Sequence, residues 1–303
     1  MQNQKTILPG EKRLDYRCTK STIWLLLVFR IMIQDAWGMD IWTRDEEGGD
    51  EQDEASKEIV EAFNTKGVTA LCLDMIAIGI DEGVQLEAIR LLVGMLFKEG
   101  GNRSVQVQIN NILVQTNSEL FFKQCSQHIQ ELIAWHKWHE VIDLQEDQEP
   151  ELPDIFIIIR FIQLLAEGHF LPNQDIMREQ PNNANSYNIL DDLVDYLNCL
   201  SRINCRTSTE AAIGVSATIL ELIQGPSEGN QNHFALNTEL AETLNRVTRA
   251  TPVGDCLYNL DNEIELKKTA IDIFQGLLEG QGSKVPIYER VLSVIHLDII
   301  VSM

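Results

Sequence analysis

The sequence predicts an all-α protein, either an armadillo-like α-solenoid or an irregular helical bundle, on three observations. From Ala55 onward, apolar residues recur at the three- and four-residue spacing of an amphipathic helix nearly throughout. Short turns divide this pattern into about a dozen segments of helix length. No run alternates with the two-residue period of a half-buried strand. Armadillo-type repeats of roughly 40–47 residues are a natural fit in size, although the sequence shows no clean internal repeat.

The segments begin and end at residues that favour helix termini. Gly100 and Gly101 stop one helix, Ser186 is available as the N-cap of another, and Gly225 followed by Pro226 closes a third. The predicted helices cover residues 59–67, 68–76, 86–96, 105–114, 120–142, 155–167, 187–203, 211–224, 234–247, 263–279 and 287–301.

The composition is that of a soluble globular protein with a strongly acidic charge. Hydrophobic residues make up 44% of the 303 positions and charged residues 23%. The 24 lysines and arginines face 46 aspartates and glutamates, which gives a formal net charge of −22. Because such a field repels phosphate backbones, we expect no nucleic-acid partner.

The chain divides into three parts on composition. Residues 1–54 form an unplaced N-terminal segment, residues 55–150 a helical-repeat segment, and residues 151–303 a second helical domain. The apolar run 23–33 is shorter than the ~20 residues of a membrane helix and lacks a signal-peptide cleavage site. We expect it to be a buried helix or the edge of an incomplete sequence. The acidic run 45–54 lacks the order of a calcium-binding helix–loop–helix motif and is expected to be a disordered linker.

The cysteines indicate a reducing compartment. They are scattered and form no C-x-x-C pair, which is typical of buried free thiols. The glycosylation sequon at 102–104 is then expected to be unused. The six cysteines are Cys18, Cys72, Cys125, Cys199, Cys205 and Cys256.

Glu167 stands at the end of the most apolar helical run in the central part of the chain. Gly168 is a predicted C-cap, because glycine takes a left-handed conformation without a steric penalty. Glu167 would then lie in the last helical turn, where the negative end of the helix dipole disfavours a carboxylate by roughly 0.3–1 kcal/mol. A cation would relieve this misfit, but from this run alone a solvated glutamate is the preferred interpretation.

The sequence contains no motif that indicates an enzyme. His136 and His139 are one helical turn apart but do not follow the H-E-x-x-H order of zinc hydrolases, and no third ligand is evident. We interpret them as a surface pair. A phosphate-binding glycine loop, a G-x-S-x-G elbow and a cysteine in a catalytic setting are all missing from the sequence.

Two strings make the chain similar to a known superfamily. The first is F-I-Q-L-L-A-E-G-H, residues 161–169. The second is E-L-I-Q-G-P, residues 221–226, followed by Asn230 and Gln231. Together with the turn at 180–183, they resemble the RIH-associated domain of the ryanodine receptor and inositol trisphosphate receptor superfamily. Upstream, residues 91–102 and 120–122 resemble the helices that precede that domain. Ala166 and Ser227 depart from the pattern, since these receptors usually carry cysteine at both positions.

The resemblance implies a cytosolic α-solenoid segment of a homotetrameric calcium-release channel in the endoplasmic or sarcoplasmic reticulum. It implies that the activating Ca²⁺ ion sits between this solenoid and the C-terminal domain of the same channel, which this sequence does not include. The family's carboxylate ligands match Glu167 and Glu221, and its supporting polar residues match His169 and Gln224. The channel pore and the inositol trisphosphate site are expected outside this sequence, which we take for a fragment or a truncated gene product.

The chemistry of a calcium site agrees with these residues. Ca²⁺ takes about 6–8 oxygen ligands at roughly 2.3–2.6 Å. Two helix C-termini meeting at a corner would offer the carboxylates of Glu167 and Glu221 beside unsatisfied carbonyl oxygens. The alternative is a helical-repeat scaffold without an ion site that binds a protein partner along its concave face. The sequence mixes features of the two receptor types and does not separate them.

Overall fold

The computed structural model describes residues 16–37, 54–79, 81–98, 100–115, 118–141, 150–203, 205–250, 260–280 and 285–295. Within these ranges the chain forms fourteen α-helices and one short 3-10 turn, with no β-strand. The all-α prediction is confirmed. The predicted acidic linker, apart from its last residue, lies outside the described ranges, as does Cys256.

One continuous hydrophobic core, from Leu26 to Val291, runs through the helices. The 3-10 turn, Asp154–Phe156, leads directly into the seventh helix. The helices are α1 Tyr16–Trp37, α2 Glu54–Thr65, α3 Val68–Ile78, α4 Glu82–Leu96, α5 Arg103–Gln115, α6 Glu119–Val141, α7 Ile157–Ala166, α8 Leu171–Arg178, α9 Ile189–Leu200, α10 Arg206–Ile223, α11 Glu228–Leu236, α12 Leu240–Arg249, α13 Leu260–Leu278 and α14 Val285–Val294.

The helices stack as repeats of three. Each first helix packs on the first helix of the next repeat, in the series α1, α4, α7, α10 and α13. The second helices pack on one another in the same way, in the series α2, α5, α8, α11 and α14. The third helices do so in the series α3, α6, α9 and α12. This nearest-neighbour stacking is that of an α-solenoid. The internal repeat that the sequence does not reveal is therefore present in the fold.

The N-terminal helix α1 occupies the first-helix position of the first repeat. It packs along α4 and buries Leu26 and Ile33. Arg30 on α1 is paired with the buried Glu87 on α4, with its Nε atom 2.5 Å from the carboxylate oxygen. The apolar run that the sequence left unplaced thus belongs to the solenoid. No helix in the described part of the chain is both long enough and apolar enough to cross a membrane.

The first helix of each later repeat is followed by a corner glycine with a left-handed backbone. The φ angles are 68° at Gly100, 69° at Gly168, 100° at Gly225 and 86° at Gly280. Successive corners contact each other. A Cβ atom on Gly168 would overlap the carbonyl oxygen of Gly100, and one on Gly280 would overlap the ring of Pro226. At Gly168 and Gly280 glycine is required both for its backbone conformation and for the close approach.

A glutamine six residues after a corner glycine hydrogen-bonds to the next corner. In three successive repeats its side-chain Nε2 donates to the carbonyl oxygens four and one residues before the following corner glycine. We call these three contacts the amide rungs. They run from Gln106 to Leu164 and Glu167, from Gln174 to Glu221 and Gln224, and from Gln231 to Gly276 and Glu279, at 2.6–3.4 Å.

Several sequence predictions of helix ends are corrected. The N-cap of α9 is Asn188, whose side chain accepts hydrogen bonds from the backbone of Leu190 and Asp191; Ser186 bonds instead to Gln180. The predicted helix 234–247 is two helices, separated where Thr238 caps the backbone of Leu240. Helix α8 was missed, since its eight residues are too few to show a periodic pattern.

Candidate functional site

Glu167 lies at the corner between α7 and α8. It is the C-cap residue of α7, with φ −47° and ψ 139°, so it follows the last helical turn and does not belong to it as the sequence suggested. The next two residues, Gly168 and His169, both have left-handed backbones, at φ 69° and 61°. A left-handed conformation is uncommon for a residue with a side chain. The chain therefore turns sharply around Glu167, and His169 is held outward and exposed.

Glu221 and Gln224 lie at the corner between α10 and α11. Glu221 is in the last turn of α10, Gln224 is its C-cap residue, and both side chains are half-buried. This corner lies against the first one, because a Cβ atom placed on Gly225 would be 2.5 Å from the Cβ atom of His169. The structure thus places all four predicted site residues at two adjacent, contacting corners.

The carbonyl oxygens at these corners are not free. The sequence argument expected unsatisfied carbonyls to serve as calcium ligands, and this expectation is wrong. The Glu167 oxygen accepts a hydrogen bond of 2.8 Å from Gln106, and the Glu221 and Gln224 oxygens accept bonds of 2.7 and 2.9 Å from Gln174. These three carbonyl oxygens are therefore already engaged, and the charged oxygens at the two corners are those of the glutamate side chains.

One carboxylate oxygen of Glu167 is buried without a hydrogen-bond partner. Removing a charged oxygen from water is costly unless a cation or a donor replaces the lost hydration. The residue as a whole is only half-buried, so its other oxygen is not subject to the same restriction. A bound cation would satisfy the buried oxygen, and the donor set of two carboxylates suits Ca²⁺.

Arg103 brings a positive charge to the same region. Its guanidinium donates a hydrogen bond of 2.9 Å to the carbonyl oxygen of Gly168 and lies 4.5 Å from the ring centroid of Phe170. It therefore holds the α7–α8 corner against α5, through the backbone and through a cation–π contact. Sequence reasoning missed Arg103, Gln106 and Gln174. For the two glutamines, a signal was available in their constant spacing after a glycine.

The His136 and His139 pair is not the surface pair that the sequence predicted. His136 is only 3% exposed, and its ring lies 5.6 Å from that of the buried Tyr196. Burial, and to a lesser extent the neighbouring His139, lowers the pKa of His136 to about 4. His139 is hydrogen-bonded to the carbonyl oxygen of Trp135. The two histidines are therefore part of the packing around α6.

The comparison with known families places this region. Residues 151–248 match the family described as "RyR and IP3R Homology associated". The chain contains a domain of this family. The domain covers about a third of the chain and includes Glu167, His169, Glu221 and Gln224. The resemblance stated from the sequence is thereby confirmed for this segment, and the domain indicates a region related to ryanodine and inositol trisphosphate receptor channels.

The domain match does not bring a metal-binding cluster with it. Among the described residues, no group of three or more histidine, cysteine, aspartate or glutamate side chains is placed to hold a metal ion. Glu167 and Glu221 are two carboxylates, so a complete coordination sphere for Ca²⁺ would need water and further oxygen donors.

Proposed function

We propose that this chain is a cytosolic solenoid portion of an intracellular calcium-release channel, in which Glu167 and Glu221 contribute carboxylates to the activating Ca²⁺ site. His169 and Gln224 support the site from the same two corners. The remaining protein donor comes from the C-terminal domain of the channel, and the channel is a homotetramer in the endoplasmic or sarcoplasmic reticulum membrane. No enzymatic activity is part of this proposal.

The observation that carries the proposal is the buried, unpartnered carboxylate oxygen of Glu167 at a corner that contacts the Glu221 corner. The Glu167 and Glu221 corners contact each other, so a single cation between them could satisfy the buried oxygen and draw on both side chains. The domain match supports the same conclusion, because its description names two receptor channels.

The bound Ca²⁺ ion lies between the solenoid and the C-terminal domain. Glu167 and Glu221 bind it from neighbouring repeats of the solenoid, at the ends of α7 and α10. If the arrangement of solenoid and C-terminal domain that opens the pore binds the ion more tightly, Ca²⁺ shifts the closed–open equilibrium toward opening. With few protein ligands, the affinity is that of a sensor and is weaker in this chain alone.

The test is a calcium titration, measured by calorimetry, of the 303-residue chain and of three variants. We expect Glu167→Gln and Glu221→Gln to abolish the weak binding. Glu279→Gln is the matched control, because Glu279 also precedes a corner glycine but is exposed. In a channel subunit that carries this segment, the first two substitutions should move calcium activation to at least about tenfold higher concentration. An unchanged activation curve would refute the proposal.

The second candidate is a helical-repeat scaffold that binds a protein partner and no ion. It is favoured by the absence of a three-residue metal cluster in the described ranges. Calorimetry separates the two functions, since a scaffold without an ion site gives no binding heat with Ca²⁺ and no difference between Glu167→Gln and Glu279→Gln.

A further inference from the structure

We propose that Gln174 is the positioning residue that sets Glu221 against Glu167, and that the amide rungs are the devices that fix one repeat relative to the next. This inference rests on the proposed calcium site for its functional part. Its structural part, the fixing of the corners, stands on the rungs alone.

The geometry of the middle rung supports this role. Gln174 lies on α8, three residues after the start of that helix and close behind the corner that carries Glu167. Its Nε2 donates to the backbone of Glu221 itself, at 2.7 Å, and to that of Gln224, at 2.9 Å. The side chain is 1% exposed, so water does not compete for these bonds. A single amide group thus ties the Glu221 corner to the helix that follows the Glu167 corner.

Asparagines next to two of the glutamines reinforce the rungs. Asn173 donates to the Leu165 carbonyl oxygen at 2.9 Å, which ties α8 to the end of α7. Asn230 donates at 2.9 Å to the carbonyl oxygen of Leu222 and to that of Gln174. The backbone of Gln174 is therefore itself held by the following repeat, and the rung has little freedom to shift.

The recurrence of the rung argues against a coincidental contact. Gln106, Gln174 and Gln231 each stand six residues after a corner glycine, and each donates to the same two carbonyl positions of the next corner. The third rung provides an internal control, because it makes the same type of contact to a corner that lacks Glu167 and Glu221. Loss of the middle or the third rung removes a donor from two carbonyl oxygens, but of these two rungs only the middle one bonds to a proposed ligand residue, Glu221.

The experiment compares Gln174→Met with Gln231→Met, since methionine has a similar length and shape but no donor. Each variant is studied in the full chain by amide hydrogen exchange without metal and by Ca²⁺ calorimetry. We expect Gln174→Met to speed exchange at the Gln224 amide, and Gln231→Met to speed it at the Glu279 amide. We expect the calcium dissociation constant to rise by about tenfold for Gln174→Met, as for the loss of residues that orient metal ligands, and to stay at the wild-type value for Gln231→Met.

The outcomes separate this inference from the proposed function. If wild type binds no Ca²⁺, or if Glu167→Gln and Glu221→Gln bind it as wild type does, the calcium site is wrong and the positioning role falls with it. If those two variants lose binding but Gln174→Met and Gln231→Met weaken it equally, the site stands and the positioning role is refuted. Exchange that is unchanged at both corners would refute the rungs as fixing devices, whatever the calcium result.

Discussion

The contact between successive corners can be tested at Gly168, where a single methyl group would enter it. A Cβ atom there would overlap the carbonyl oxygen of Gly100 and lie 2.9 Å from its carbonyl carbon. Both atoms are backbone and have no rotamer to move into. Gly100 is the matched control, because its φ of 68° is nearly the same as the 69° of Gly168, yet a Cβ atom there would meet nothing within 4 Å.

The two substitutions share one cost and differ in another. A left-handed backbone costs a residue with a Cβ atom roughly 1–2 kcal/mol, and this applies to Gly168→Ala and Gly100→Ala alike. Forcing a methyl group into packed atoms costs roughly 1–3 kcal/mol more, and this applies to Gly168→Ala alone. We therefore expect a loss of about 1–2 kcal/mol for Gly100→Ala and about 2–5 kcal/mol for Gly168→Ala. The small gain from restricting the unfolded chain is common to both and cancels in the comparison.

The assay is urea unfolding of both variants and of wild type, followed by far-ultraviolet circular dichroism. The slope of the free energy against urea concentration shows whether unfolding is comparable between variants. Equal losses of stability at the two glycines would show that the Gly100 and Gly168 corners do not touch, and would remove the basis for corner stacking along the solenoid.

Two further predictions concern buried titratable groups. The folded-state pKa of His136, about 4, lies below the unfolded value of 6.5, so the unfolded chain binds more protons between these limits. The stability that His136 contributes is therefore present above pH 6.5 and is lost as pH falls toward 4. Urea unfolding at several pH values should show that the free energy of unfolding declines less over this range in His136→Leu than in wild type. Identical declines in the two proteins would contradict this prediction. Burial raises the pKa of the Cys72 thiol to about 12 and also raises that of Cys125, whereas Cys18 is exposed. Alkylation followed by mass spectrometry should thus label Cys18 rapidly and the two buried thiols only on unfolding, and fast labelling of Cys72 in the native protein would refute its burial.

The fold class was predictable because most of the helices carry their own apolar periodicity. The end of α10 shows this well, since Gly225 and Pro226 are strong local signals for a helix terminus. Helix α8 lacks such a signal: it has eight residues, only a few of them apolar, and is held in place by buried Asn173 and Gln174. Its existence depends on contacts with α5 and α11, which local periodicity does not encode.

The internal repeat could not be predicted from the sequence for a related reason. Successive repeats share little more than a corner glycine and the glutamine six residues later, while the lengths of their helices differ. First helices range from the ten residues of α7 to the twenty-two of α1. This pair of residues recurs at unequal distances along the chain, so it does not appear as a repeat of fixed length. It becomes visible only once the structure shows that the glutamines bond to equivalent carbonyl positions.

The candidate site was located by resemblance, while its supporting chemistry was not foreseen. The carbonyl oxygens at the two helix ends were expected to be available because the last carbonyls of a helix have no partner within it. Their donors come from far away in the chain: Gln106 is 61 residues before Glu167, and Gln174 is 47 residues before Glu221. Long-range partners of this kind are set by the stacking of repeats and not by local sequence.

The repeat register explains why a cation site would form at one pair of corners and not at the others. The proposed ligands stand one residue before a corner glycine, at Glu167, and four residues before the next corner glycine, at Glu221. In the preceding pair of corners these positions hold a glutamate and Leu164, and in the following pair they hold Gln224 and Gly276. Only the central pair has a carboxylate at both positions. The amide rungs recur at all three junctions, whereas the two carboxylates whose charge a bound Ca²⁺ would balance occur together at the central one.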